Sequence, residues 1–178
     1  MSLQETYTTS IVPKLKSELG IRNILGVPRM TRVVINVGVG KNFRDDKDIE
    51  YIEKTLTRIV GQKPIRTMAK KSISSFKVRQ GMVVGLVATL HGKRMYDFVE
   101  KLVHVTLPRV RDFRGLDMKA VDDHGNFTIG FKEHITFPEI HSDEVERIHG
   151  LEVSMVTNAK KREYGLALFK ALGFPFKV

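Results

Sequence analysis

Two pairs of strand-type runs follow one another with no helical period between them. QKPIRTM (62–68) precedes MVVGLVATLH (82–91), and NFTIGF (126–131) precedes LEVSMVT (151–157). Parallel neighbours need a crossover, usually a helix, so such pairs favour an antiparallel or mixed sheet. A further β-branched run, TRVVINVGVG (31–40), ends in glycines and reads as a strand. Helical periods occupy the rest. Leu3, Tyr7, Ile11, Leu15 and Leu19 recur every four residues and stop at Gly20. Pro13 predicts a break near Ser10, with the proline in the first turn of a second helix. Asp45, Asp46 and Asp48 open a helix that buries Ile49, Ile52, Leu56 and Ile59 and stops at Gly61. Met95, Phe98, Val99, Leu102 and Val105 mark another over about 93–105, whereas LPRVRDFRG (107–115) lacks a period and reads as a loop. Asn158 is placed to cap a last helix running to about Leu172, with Gly173 ending it.

The resulting order, helix–strand–helix–strand–strand–helix–strand–strand–helix, predicts an α+β fold. Helices would cover one face of a mixed or antiparallel sheet and leave the other free to bind. The length suits one domain over 1–178, and no repeat, low-complexity tract or linker interrupts it.

Charge narrows the partner. The formal net charge is +10 and the pI about 9.9. Residues 61–120 hold 13 Lys and Arg against 4 Asp and Glu, while residues 121–178 hold 7 against 9. A focused basic patch of this kind points to a polyanion, nucleic acid before membrane. No cysteine is present, which excludes disulfides, thiolate metal sites and a cysteine nucleophile. MSLQETYTTS does not read as a secretory signal, and no apolar run reaches the ~18–20 residues that span a bilayer. The expectation is a soluble, cytoplasmic chain without membrane contact.

Within residues 58–79 stand Arg58, Lys63, Arg66, Lys70, Lys71, Lys77 and Arg79, with no acid among them. Neutralising phosphates requires this arrangement, because a nearby carboxylate would cancel the attraction. Ser72, Ser74 and Ser75 can donate to phosphate or ribose oxygens. Phe76 can stack on an unpaired base or fold back into the core, and both readings stand. A second basic element, Arg109, Arg111 and Arg114, contains Asp112, so phosphate binding and an internal salt-bridge network both remain open. Asn36, Gln62 and Thr89 can each donate and accept, and a half-exposed sheet face explains Asn36 and Thr89 without any function.

Enzyme signals are weak. GVGK (38–41) lacks the remainder of a phosphate loop, since Asn42 follows Lys41. The six histidines form no HExxH or other tight ligand pair, and His134, His141 and His149 read as surface polar positions. Asp122 and Asp123 are adjacent in a turn and so point apart. No metal, cofactor or catalytic residue is expected. The rival reading is an RNA-modifying enzyme that uses the basic patch to capture substrate.

RIVGQKPIRTMAKKSISSFKVRQGMVVG (58–85) closely resembles the signature region of the family of ribosomal protein five of the large subunit, the 5S-rRNA-binding ribosomal proteins. The likeness extends in order to VINVGVG (34–40), ATLHGKRMYDF (88–98), LPRVRDFRG (107–115), GNFTIGFKEHITFPEI (125–140) and LGFPF (172–176). The resemblance implies a curved sheet backed by helices, with a protruding loop at about 70–82. It implies a structural constituent of the large subunit that binds 5S rRNA in the central protuberance beside neighbouring proteins and rRNA. It implies contact with P-site tRNA and with a protein of the small-subunit head. Asn36, Gln62 and Thr89 match 5S-contacting positions, to which the basic base of the loop adds Lys63, Arg66, Lys70 and Lys71. Residues 72–81, including Ser72, Ser74, Ser75, Phe76, Lys77, Val78, Arg79, Gln80 and Gly81, match the tRNA-facing loop. Arg109, Arg111 and Arg114 fall in the part turned towards the small subunit. Two departures stand out: His91 replaces the usual Arg or Lys, and the last helix opens with NAKKRE, adding Lys160, Lys161 and Arg162 as possible RNA contacts.

Overall fold

The first helical stripe does not break at Ser10. A computed structural model of the chain describes residues 2–39 and 45–177, and in it α1 (Leu3–Thr6) runs through a widened π-type turn, Tyr7–Ile11, directly into α2 (Val12–Glu18). The Val12 amide donates to the Tyr7 carbonyl five residues back, so the turn opens just before Pro13, where a normal turn would clash with the proline ring. A spacing of four overshoots the 3.6-residue period, and the wider turn absorbs the drift. Leu3, Tyr7, Ile11 and Leu15 therefore all remain buried.

The five strands form one sheet in the order β2-β3-β1-β5-β4. They are β1 (Met30–Gly38), β2 (Ile65–Met68), β3 (Val83–Leu90), β4 (Phe127–Phe131) and β5 (Leu151–Thr157). β2 and β3 pair antiparallel. With α3 (Asp46–Val60), α4 (Gly92–Lys101), α5 (Leu107–Arg109) and α6 (Arg162–Ala171), the fold is α+β. Packing divides the chain into two compact units, residues 1–33, 90–129 and 153–178, and residues 34–89 and 130–152.

In the first unit α1 lies against α4. The Leu3 amide donates to the Glu100 carboxylate, and the Tyr7 and Tyr96 rings sit 5.8 Å apart. The Tyr7 hydroxyl donates to the Pro28 carbonyl at 2.9 Å, and burial pushes its pKa up to about 12. Two expectations are corrected here. The helix over 93–105 continues through a second widened turn, Leu102–Thr106, into α5, so residues 107–109 of the expected loop are helical. That turn shifts the helix phase, leaving Val105 exposed and burying Thr106 and Leu107. Asn158 does not cap α6, because its side-chain oxygen accepts from the Arg29 amide at 2.7 Å; Lys161 occupies the cap position. The Gly173 and Phe174 amides close the helix end onto the carbonyls of Lys170 and Phe169. Phe127, Phe169 and Phe174 form the aromatic centre of this unit.

In the second unit α3 forms where the apolar spacing placed it, burying Ile49, Ile52, Leu56 and Ile59. Gly61 ends it in the left-handed region at φ 71°, which a side chain adopts only at a cost. Alternation along the strands separates a dry face, with Ile35, Val37, Leu86 and Ala88 at 0–2% exposure, from an open one carrying Asn36. Residues 132–150 close the unit. Here His134 and His149, expected at the surface, are buried at 0% and 3% exposure, because their rings stack on each other. GVGK (38–41) lies partly outside the described residues, as do Lys41 and Asn42.

Candidate nucleic-acid interface

The basic stretch forms a hairpin-like excursion between β2 and β3. The Ala69 amide donates to the Met82 carbonyl and the Gly81 amide to the Ala69 carbonyl, closing its base. Farther out, Ile73 and Val78 exchange backbone hydrogen bonds at 2.9 and 3.1 Å. The Gln80 amide donates to the Ser72 hydroxyl, and the Arg79 amide to the Met82 sulfur at 3.2 Å. At the tip, residues Ser74–Phe76 make one 3₁₀ turn, closed by Lys77 in the left-handed region at φ 52°. Backbone and side-chain acceptors within the loop thus take up these amides, and most of its side chains are left exposed. Lys70, Lys71, Ser74, Ser75, Lys77 and Arg79 are exposed, and Phe76 is 60% exposed, so its ring lies outside the core. Among the described residues no carboxylate pairs with Lys70, Lys71, Lys77 or Arg79.

Beside the loop lies the open sheet face of the same unit. Ile65 stands opposite Val87, and Thr67 opposite Gly85, so these four share a face, and the strand period adds Thr89. Asn36 joins them from β1. A Cβ at Gly85 would lie 2.9 Å from the Thr67 hydroxyl, 3.0 Å from the Val37 carbonyl and 3.8 Å from the Asn36 side-chain oxygen. Only glycine lets Asn36 and Thr67 close in over β3 here. The Gln62 side-chain amide donates to the Thr89 carbonyl at 3.3 Å, which brings Gln62 and Thr89 together and leaves the Gln62 oxygen for another donor. Sequence reasoning missed Ile65, Thr67, Met68 and Gly85. Ile65 and Met68 are 73% and 62% exposed. The alternation of β2 carried the signal, since it sends residues 65 and 67 to the face opposite Arg66.

The cations at the base are situated differently. Arg66 lies on the other parity, opposite Leu86, and its guanidinium grips Glu53 of α3 at 2.7 and 2.8 Å. Lys63 reaches the same carboxylate at 3.4 Å, and Arg58 pairs with Glu144. The Arg66 hydrogen bond, reinforced by the two positive charges, holds the Glu53 pKa below the usual carboxylate range.

The remaining positions lie elsewhere in the chain. Arg109, Arg111 and Arg114 are all exposed, and Asp112 pairs with none of them among the described residues, so no internal network neutralises this element. Asp112 sits at φ 55°. At the start of α6, Arg162 donates to the Met118 carbonyl at 2.9 Å and Lys161 lies over the Tyr164 ring, while Lys160 is exposed. His91 is exposed, its Nδ1 3.2 Å from the Thr31 carbonyl. The Asp122 carboxylate accepts from the His124 and Asn126 amides and so serves its turn. No helix among the described residues is long and apolar enough to cross a membrane.

An open sheet face bearing Asn36, Thr67 and Thr89 beside a loop of unpaired cations has the chemistry to receive a polyanion. Comparison with known proteins makes the class specific. Residues 23–79 match the family model described as ribosomal protein L5, and residues 83–176 match the model of the C-terminus of the same ribosomal family. Proteins named large ribosomal subunit protein uL5 align along nearly their whole length. That of Synechococcus sp. is 50% identical, covering 98% of this chain and 97% of its own. That of Desulfatibacillum aliphaticivorans is 48% identical (99% and 98%), and that of Francisella philomiragia 47% (98% and 98%). The chain belongs to the ribosomal protein L5 family. It is a structural constituent of the large ribosomal subunit, associated with rRNA, and not an enzyme, which removes the RNA-modifying reading. Its place is the ribosome, which in bacteria is cytoplasmic.

Proposed function

We propose that the chain holds 5S rRNA in the central protuberance through its open sheet face and the base of its loop. The observation that carries this reading is the juxtaposition, within one unit, of unpaired Lys70 and Lys71 with an exposed face bearing Asn36 and Thr67. The lysines displace counterions from phosphates, and Asn36, Thr89 and the free oxygen of Gln62 recognise ribose hydroxyls or base edges. Lys63 and Arg66 add to the field, weakened by Glu53. Residues 72–81 reach P-site tRNA, with Ser72, Ser74, Ser75, Lys77 and Arg79 on its backbone and Phe76 against it. The exposed Arg109, Arg111 and Arg114 meet a protein of the small-subunit head, and the whole chain acts as one ribosomal domain beside neighbouring large-subunit proteins and rRNA.

Purifying the tagged chain from cell extract and identifying the RNA that accompanies it tests the central partner. Recovery of 5S rRNA is expected; no RNA, or only messenger fragments, would overturn the proposal. Gln62→Ala should weaken 5S binding while leaving the unfolding midpoint unchanged.

A further inference from the structure

We infer that the buried pair His134 and His149 is a pH-sensitive latch, holding residues 132–150 against α3 while both rings are neutral. The rings lie parallel, 4.0 Å apart with an interplanar angle of 1°, at 0% and 3% exposure. The His134 amide donates to the His149 carbonyl at 3.1 Å, and the His149 amide donates to His134 Nδ1 at 3.3 Å. His134 Nδ1 also lies 3.3 Å from the His149 carbonyl and His149 Nδ1 3.4 Å from the Gly150 carbonyl, so each Nδ1 has an acceptor within reach and the far nitrogen of each ring decides the cost of a proton. The Nε2 atoms of both rings are buried without a partner. A proton on either ring therefore creates a desolvated cation, and protons on both would set two cations face to face.

The pair sits where the segment meets α3. The Tyr51 ring of α3 presents its edge to His134 at 6.4 Å. Arg147 binds Asp48 of the same helix at 2.6 Å, and Glu144 binds Arg58. The titratable groups bearing on the two rings are Tyr51 from α3, Glu133 beside His134, and each other. Burial pushes both imidazoles down, His149 to about 4 with His134 contributing, and Glu133 offsets this only partly at His134. The unfolded chain then binds protons more readily than the folded one. Stability from the pair is full above the ordinary histidine value of about 6.5 and is lost as pH falls below it. Opening the segment also frees Arg58 from Glu144.

Urea unfolding at pH 7 and pH 5, for the wild type and the His134→Gln/His149→Gln double variant, tests the latch. The wild-type midpoint should fall by about 0.5–1 M more than that of the variant over this interval. Equal falls would overturn it. A second measurement needs no variant: imidazole NMR titration of the wild type. His134 and His149 should titrate below the ordinary histidine value of about 6.5, with hydrogen exchange in residues 132–150 quickening over the same range; titration at or above that value would overturn the latch as surely.

Discussion

Residues 58–66 and 70–79 look alike in sequence and differ in space. Both are rich in lysine and arginine and free of acids. In the first, Arg58, Lys63 and Arg66 all reach carboxylates delivered from elsewhere, Glu144 from the far side of the chain and Glu53 from the preceding helix. In the second, Lys70, Lys71, Lys77 and Arg79 are exposed and meet none among the described residues. Composition along a window counts neighbours in the chain, whereas the field that a phosphate meets depends on neighbours in space. Arg66 braces β2 against α3 and Arg58 ties α3 to residues 132–150, whereas the loop cations are left without a carboxylate among the described residues.

That contrast can be broken or sharpened by substitution. The largest effect is expected from Lys70→Gln, Lys71→Gln, Lys77→Gln and Arg79→Gln combined, which should lower RNA affinity by about 10²–10³-fold near physiological salt. A filter-binding or mobility-shift titration measures it, and a loss no greater than that of Lys63→Gln with Arg66→Gln would erase the distinction. Gly85→Ala comes next, with a cost of about 1–3 kcal/mol in urea unfolding, since its methyl meets the Thr67 hydroxyl at 2.9 Å and the Val37 carbonyl at 3.0 Å. Full stability would mean that the open face yields easily.

Glu53→Gln should cost about 1–2 kcal/mol by removing its charge-assisted bonds, and at the same time tighten RNA binding by freeing Lys63 and Arg66. The pH sign is fixed by the lowered Glu53 pKa: its stabilisation is present above the ordinary carboxylate range and is lost as pH falls through it. The variant should therefore lose that part of the acid dependence. The smallest effect is that of Phe76→Ala on folding, within about 0.5 kcal/mol, because the ring is 60% exposed. A larger loss would show that the ring packs locally, whereas an unchanged midpoint with weaker tRNA binding fits stacking.

The elements themselves were largely legible. The β-branched runs and the Ile49–Ile52–Leu56–Ile59 stripe identify strands and helix because burial of one face imposes its period on the sequence. The two widened turns were not, since each is an accommodation to a neighbour. Pro13 forces the first, while the second shows only as Val105 standing off the buried stripe. Asn158 is a plausible cap by type, yet its oxygen serves Arg29, far away in sequence. The cations, Asn36, Gln62 and Thr89 could be named from the chain. The roles of Gly85 and Thr67, and the neutralisation of Arg66, depend on strand register, which composition does not encode.

The most direct test of the account is the slope of log affinity against log salt for 5S rRNA, measured in parallel for three proteins: wild type, the Lys70→Gln/Lys71→Gln variant, and the Lys63→Gln/Arg66→Gln variant. Each phosphate contact contributes about 0.7–0.9 to the slope. The loop variant should lose about 1.4–1.8, and the base variant clearly less. Equal losses, or a flat plot for the wild type, would contradict it.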